Sequence, residues 1–145
     1  MQLFNNAYLY YITKLVAEIS TILGKTDKAV QYHATADRLA QAVTTTFANA
    51  ATGVYLDTLQ THSAMPLASG LVPSSLANKT LASLAHQITV VDNGHLDTGL
   101  TGTYFMTKML MEAGRNDLVF TYANQVRLHA PLTRCRIICE RCVCQ

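Results

Sequence analysis

The chain has no tryptophan at all, and its first 134 residues contain no cysteine. A disulfide framework therefore cannot hold this body together. Charge is also scarce. Asp, Glu, Lys and Arg make up 14% of the residues, against roughly 25% in an average soluble domain. Half the residues are hydrophobic, so the composition predicts faces meant to be covered by further protein, as in a portion of a larger helical domain. No apolar run approaches the roughly 18 residues that span a bilayer. The opening MQLFNNAYLYY lacks the basic region and cleavage site of a secretory signal, and the compartment stays open. Residues 1–125 hold seven Lys and Arg against eight Asp and Glu. The net charge of +2 comes from the last twenty residues, with Arg127, Arg134, Arg136 and Arg141 against Glu140. The body thus has no basic footprint for nucleic acid, and neither nucleic acid nor membrane is an expected partner.

Alternating strand patterns and fixed-period repeats are missing too, which excludes sheet folds and the common solenoids. What remains is helical periodicity. Tyr8, Ile12, Leu15, Val16, Ile19 and Leu23 predict a first helix over 6–23 with these residues buried, stopped by Gly24. Thr26-Asp27 starts a second, with Tyr32, Ala36, Leu39, Ala40, Val43 and Phe47 as its buried stripe. The connection is about two residues, which makes the pair antiparallel neighbours. Val54-Tyr55-Leu56 reads as a short extended piece. Gln60 to Ser69 is a third helix, in which Pro66 is acceptable only near the start. Ser74 or Ser75 caps a fourth, carrying Leu76, Ala77, Leu81, Leu84 and Ile88, and Asp92-Asn93-Gly94 forms a turn. The expected fold is all-α, a series of antiparallel hairpins.

The stretch His95 to Gln125, HLDTGLTGTYFMTKMLMEAGRNDLVFTYANQ, is the most informative. A polar loop with His95 and Asp97 leads to a helix capped by Thr98 or Thr101. Gly99 and Gly102 allow backbone to come close to a neighbour. Leu100, Tyr104, Phe105, Met109 and Leu110 recur at helical spacing, and Gly114 stops the helix. Asn116 and Asp117 then provide a cap and a first-turn acid for a last helix with Leu118, Val119, Tyr122 and Val126 on one face. Polar rims of such hairpins are where function usually sits.

The run H-L-D-T-G-L-T-G-T from His95, followed by A-G-R-N-D-L and Y-A-N-Q, resembles the late part of the catalytic domain of bacterial-type α-L-rhamnosidases. The similarity extends over about residues 6–125, including the Tyr55, Gln60-Thr61 and Gly70-Leu71-Val72-Pro73 series. It implies a six-hairpin glycosidase fold, an (α/α)6 toroid of which this chain forms about half. It implies hydrolysis of terminal α-L-rhamnosides by an inverting acid/base mechanism, with no cofactor and a rhamnose-containing glycoside as partner. Inverting glycosidases need two carboxyl groups roughly 6.5–9.5 Å apart with water between them. In the family the acid lies upstream of the matched stretch, and the base is a Glu in a Trp-Glu motif beyond Gln125. With no Trp in the chain, no catalytic residue is assigned here, and the chain alone is expected to be inactive and marginally stable.

Asp92 and Asp97 are the best-placed carboxylates present, and both read as turn or capping residues. His95 is the first candidate for a contact to a sugar hydroxyl. Gln60 is the second, as a residue facing the toroid mouth. His33, His62 and His86 read as ordinary helix-face residues, and no HExxH or comparable spacing predicts a metal. All four cysteines fall in CRIICERCVC, at 135, 139, 142 and 144. Structural zinc usually needs two separated knuckles, so no metal is assigned there either. The composition shift after Gln125 divides the chain into a glycosidase-like domain, 1–125, and a tail, 126–145, expected to lie outside the family and to arise from a frameshift, retained intron or mispredicted exon. The alternatives in function are a non-catalytic helical scaffold and a six-hairpin enzyme for another sugar.

Overall fold

A computed structural model describes residues 2–125. The tail assigned to 126–145, with its cysteines and Val126, lies outside the described residues. Among the described residues there are six α-helices: α1 (Gln2–Ile22), α2 (Thr26–Phe47), α3 (Gln60–Ser69), α4 (Ser74–His86), α5 (Leu100–Glu112) and α6 (Asn116–Ala123). Among the described residues there is no strand; the 54–56 piece makes one antiparallel bridge, Ala48 to Tyr55. The helices pair as α1 with α2, α3 with α4 and α5 with α6. The odd members form one row, α3 packing between α1 and α5. This is an all-α sector of three antiparallel hairpins.

Backbone chemistry sets the hairpin turns. Gly24 and Gly114 take φ of +68° and +70°, which L-residues with a Cβ rarely adopt. That turn lets Lys25 N–H reach Ser20 O at 2.9 Å and Arg115 N–H reach Leu110 O at 2.8 Å, satisfying carbonyls the helix ends leave over. The expected side-chain caps at Thr98 or Thr101, Ser74 or Ser75, and Asn116 are not made. The capping positions are Gly99, Pro73 and Arg115, none with a side-chain cap bond. These helices begin one residue or more away from the polar residue expected to cap them, directly from the turn itself. Thr98 Oγ1 instead lies 2.6 Å from Thr103 Oγ1.

Two cores flank α3. Leu3, Ala7, Tyr10, Val43, Tyr55, Met65 and Phe105 belong to the first, and Ala64, Leu84, Ile88, Met106, Leu110, Leu118 and Tyr122 to the second. With neighbours on three sides, α3 buries Gln60, Ser63, Ala64, Met65, Pro66 and Ser69. Pro66 stands in the interior of this helix rather than near its start. A proline there removes a backbone bond at a cost of about 3 kcal/mol; its complete burial between the cores offsets part of that. Phe105 ties α5 to α1, edge-on to Tyr11 at 5.6 Å and to Tyr8 at 6.3 Å between centroids. The Tyr10 hydroxyl donates to Gly70 O at 3.3 Å, fixing α1 to the end of α3. Burial, reinforced by the charges of Asp37 and Glu18, pushes its pKa above the ordinary tyrosine value.

The buried face of α1 differs from the expected stripe. Leu3, Ala7, Tyr10, Thr13, Ala17 and Ser20 are buried, while Tyr8, Ile12, Leu15, Ile19 and Leu23 are exposed and Val16 is half-buried. Helix α1 is apolar on both sides, so period alone could not choose between them. The small residues allow close approach to α2 and α3. Leu100 and Tyr104 are likewise exposed, at 91% and 63%, whereas Met106 takes a core place the spacing did not give it.

Candidate functional site

The two polar residues picked out by sequence come together at one end of the molecule. Gln60 opens α3, and the loop 92–99 opens α5, so α3 and α5 run parallel with their N-terminal ends side by side. A five-residue π-helical segment, Gln87–Val91, extends α4 and delivers Asp92. Asn93 follows at a positive φ of 49°, and His95 N–H returns to Asp92 O at 2.8 Å. Gly102 is where α5 closes on α3: a Cβ there would lie 2.8 Å from Thr61 Oγ1. That contact accounts for a glycine inside the first turn of a helix, as the sequence reading of close backbone approach required.

Gln60 is the centre of this end. It is fully buried, so it does not face an open mouth as expected. Its Nε2 donates to Asp92 Oδ2 and to His95 O, both at 2.7 Å. Its Oε1 accepts from Asp97 N–H at 3.1 Å. Both amide protons are thus committed to the loop. Gln87 Nε2 also donates to Asp92 Oδ2, at 3.1 Å. One carboxylate oxygen therefore gathers two carboxamides from different helical segments. A buried amide left without these partners would lose about 1–3 kcal/mol; this one is satisfied. His95, by contrast, is exposed, as is Asp97. The network holds the loop from beneath and leaves the imidazole outside.

A second carboxylate pairs nearby in sequence. His62 Nδ1 lies 2.6 Å from Asp57 Oδ1, which also accepts Leu59 N–H at 2.9 Å. Burial tends to raise the Asp57 carboxyl. The Leu59 bond and the bond and charge of His62 outweigh it and hold the group below the ordinary carboxylate range. His62 is therefore tied to the loop before α3 rather than a plain helix-face residue. The signal was an Asp two residues before a helix cap and a His in the following turn. Glu112 pairs with Lys108 at 3.0 Å and Asp117 with Arg115 at 2.7 Å on the surface. Among the described residues no group of three or more His, Cys, Asp or Glu could hold a metal ion, and no helix is long and apolar enough to cross a membrane. A groove lined by Tyr11, Lys14, Glu18, Gly70, Lys108 and Glu112 lies at the C-terminal ends of α3 and α5, away from His95.

Residues 1–130 match the model of the bacterial α-L-rhamnosidase six-hairpin glycosidase domain. The chain belongs to that family. A relative, the α-L-rhamnosidase of Formosa agariphila, is 28% identical over 118 residues, covering 81% of this chain and 13% of its own length. The structure of the α-L-rhamnosidase from Dictyoglumus thermophilum superposes with a TM-score of 0.77 at 27% identity, covering 84% of this chain and 14% of that one. The native α-L-rhamnosidase of Aspergillus terreus gives the same TM-score at 25% identity, over 91% of this chain and 15% of that one. The chain thus spans about a seventh of the length of these relatives. Its three hairpins are part of the (α/α)6 toroid of six-hairpin glycosidases.

Proposed function

We propose that this chain is the wall and sugar-reading rim of an α-L-rhamnosidase-like hydrolase. The complete enzyme would cleave terminal α-L-rhamnosides with inversion, by an acid and a base that residues 1–125 do not supply. The observation that supports this most is the state of the carboxylates. Asp92 accepts two carboxamides, Asp57 holds His62, and Glu112 and Asp117 are in surface ion pairs. Each of these four already holds a hydrogen bond or an ion pair, so none is assigned to an inverting pair. The family match runs to residue 130, and the cysteine-bearing residues 131–145 are read as a tail separate from this domain.

His95 is assigned the contact to a sugar hydroxyl, since it is exposed on a loop whose backbone is otherwise tied down. Gln60 serves the same site through that loop rather than by direct contact. The outward apolar face of α1 is read as a surface that further hairpins of the toroid cover. The sugar follows from the relatives, all α-L-rhamnosidases by name. The test is incubation of the purified chain with an aryl α-L-rhamnoside. No aglycone should be released above the buffer blank; release that scales with protein concentration would overturn the proposal.

A further inference from the structure

The sugar-reading role just proposed places weight on His95, yet the imidazole itself is not what fixes its position. What holds it passes through the backbone of 92–97: Gly94 N–H donates to Ile88 O at 2.7 Å and Gln125 Nε2 to Asn93 O at 3.3 Å, and the other bonds centre on the side chains of Gln60, which is buried, and Asp92, which is half-buried. Gln60 grips both sides of His95, through His95 O and through Asp97 N–H two residues on. Asp92 closes the turn from the other end, its own carbonyl accepting His95 N–H and its carboxylate accepting Gln60 and Gln87. Gln60 and Asp92 between them thus bind three backbone groups of this short loop, from positions set by α3 and by the π-helical segment. An exposed loop of polar residues would otherwise sample many shapes.

We infer that Gln60 and Asp92 are a positioning pair, holding the 92–97 loop in the one shape that presents His95 to ligand. This rests on the reading of His95 as a sugar contact. The pairing is a donor amide against an acceptor carboxylate, and that polarity makes it testable. Gln60→Glu keeps the size of the side chain but sets carboxylate against carboxylate. Asp92→Asn alone keeps an acceptor for Gln60 and should change little. In the double variant the asparagine amide donates to the new carboxylate, so that bond returns with its polarity reversed, while the donation to His95 O stays lost.

The experiment is amide hydrogen exchange by NMR on the full chain and the three variants, with L-rhamnose titrated into each. Asp97 N–H should exchange about tenfold faster in Gln60→Glu and less than about threefold faster in Asp92→Asn. The double variant should recover a measurable part of the protection lost in Gln60→Glu. Amides of Met65 and Leu110, in the two cores, should keep theirs throughout. Unchanged exchange at Asp97 in Gln60→Glu, a uniform loss that includes Met65 and Leu110, or no rescue in the double variant would each overturn the pairing. The sugar arm is separate. If the exchange pattern holds and L-rhamnose moves no resonance of the wild-type loop, the sugar contact fails while the positioning pair stands.

Discussion

The two helices of the first hairpin turn very different faces outward. Helix α2 presents Asp27, Lys28, Gln31, Asp37 and Arg38 to solvent, with Arg38 and Lys28 bonded locally to Thr35 and Gln31. Helix α1 presents Tyr8, Leu9, Ile12, Leu15, Ile19 and Ile22, the last 83% exposed. A contiguous apolar face of that kind marks a surface built for contact. The difference teaches how the domain is layered: α2 is a solvent-facing member of its hairpin, whereas α1 is apolar on two sides. The side it turns to α2 and α3 sets Leu3 and Tyr10 among small residues, and the side made of large aliphatic and aromatic residues is left exposed.

Substitutions on the two faces of α1 separate their roles. The largest effect belongs to the buried side. Leu3→Ala, in the first core, should lower unfolding stability by about 2–5 kcal/mol, since it leaves a cavity as well as losing apolar burial. Leu9→Ala, six positions on but half exposed, should cost well under about 1 kcal/mol. Urea denaturation of the two variants measures both, and equal losses would erase the distinction between the faces. A smaller effect comes from the close packing of α1. Ala17→Leu places three extra carbons in a fully buried position and should destabilise by about 1–3 kcal/mol through overpacking. The matched change on the other face, Ile19→Lys, should stay within about 0.5 kcal/mol and reduce self-association in sedimentation at high concentration.

The same helix shows where sequence reasoning reached and where it stopped. Element existence was readable, because periodicity and glycine stops are local: Gln60–Ser69 and the stops at Gly24 and Gly114 follow directly from them. Facing was not readable for α1 or for Leu100 and Tyr104, because which apolar side is covered depends on neighbours far away in sequence. Capping failed at Thr98, Ser74 and Asn116 because turn geometry, rather than a side-chain oxygen, opened each helix. At the candidate site, His95 and Gln60 were singled out separately. Their connection through Asp92 and Asp97 was invisible, since it depends on the parallel packing of α3 and α5 and on a π-helical segment that no composition cue announces. The resemblance in the nine residues from His95 was local, and it pointed to the family that residues 1–130 match.

In the proposed assignment the His95 loop reads a sugar, whereas the apolar face of α1 is a packing surface. The most direct measurement is an NMR titration of the full chain with L-rhamnose, using L-fucose as a control of similar polarity. Shifts are expected at His95 and Asp97, absent in His95→Ala, with Ile12, Leu15 and Ile19 unmoved. Shifts confined to α1, or equal responses to both sugars at the loop, would contradict it.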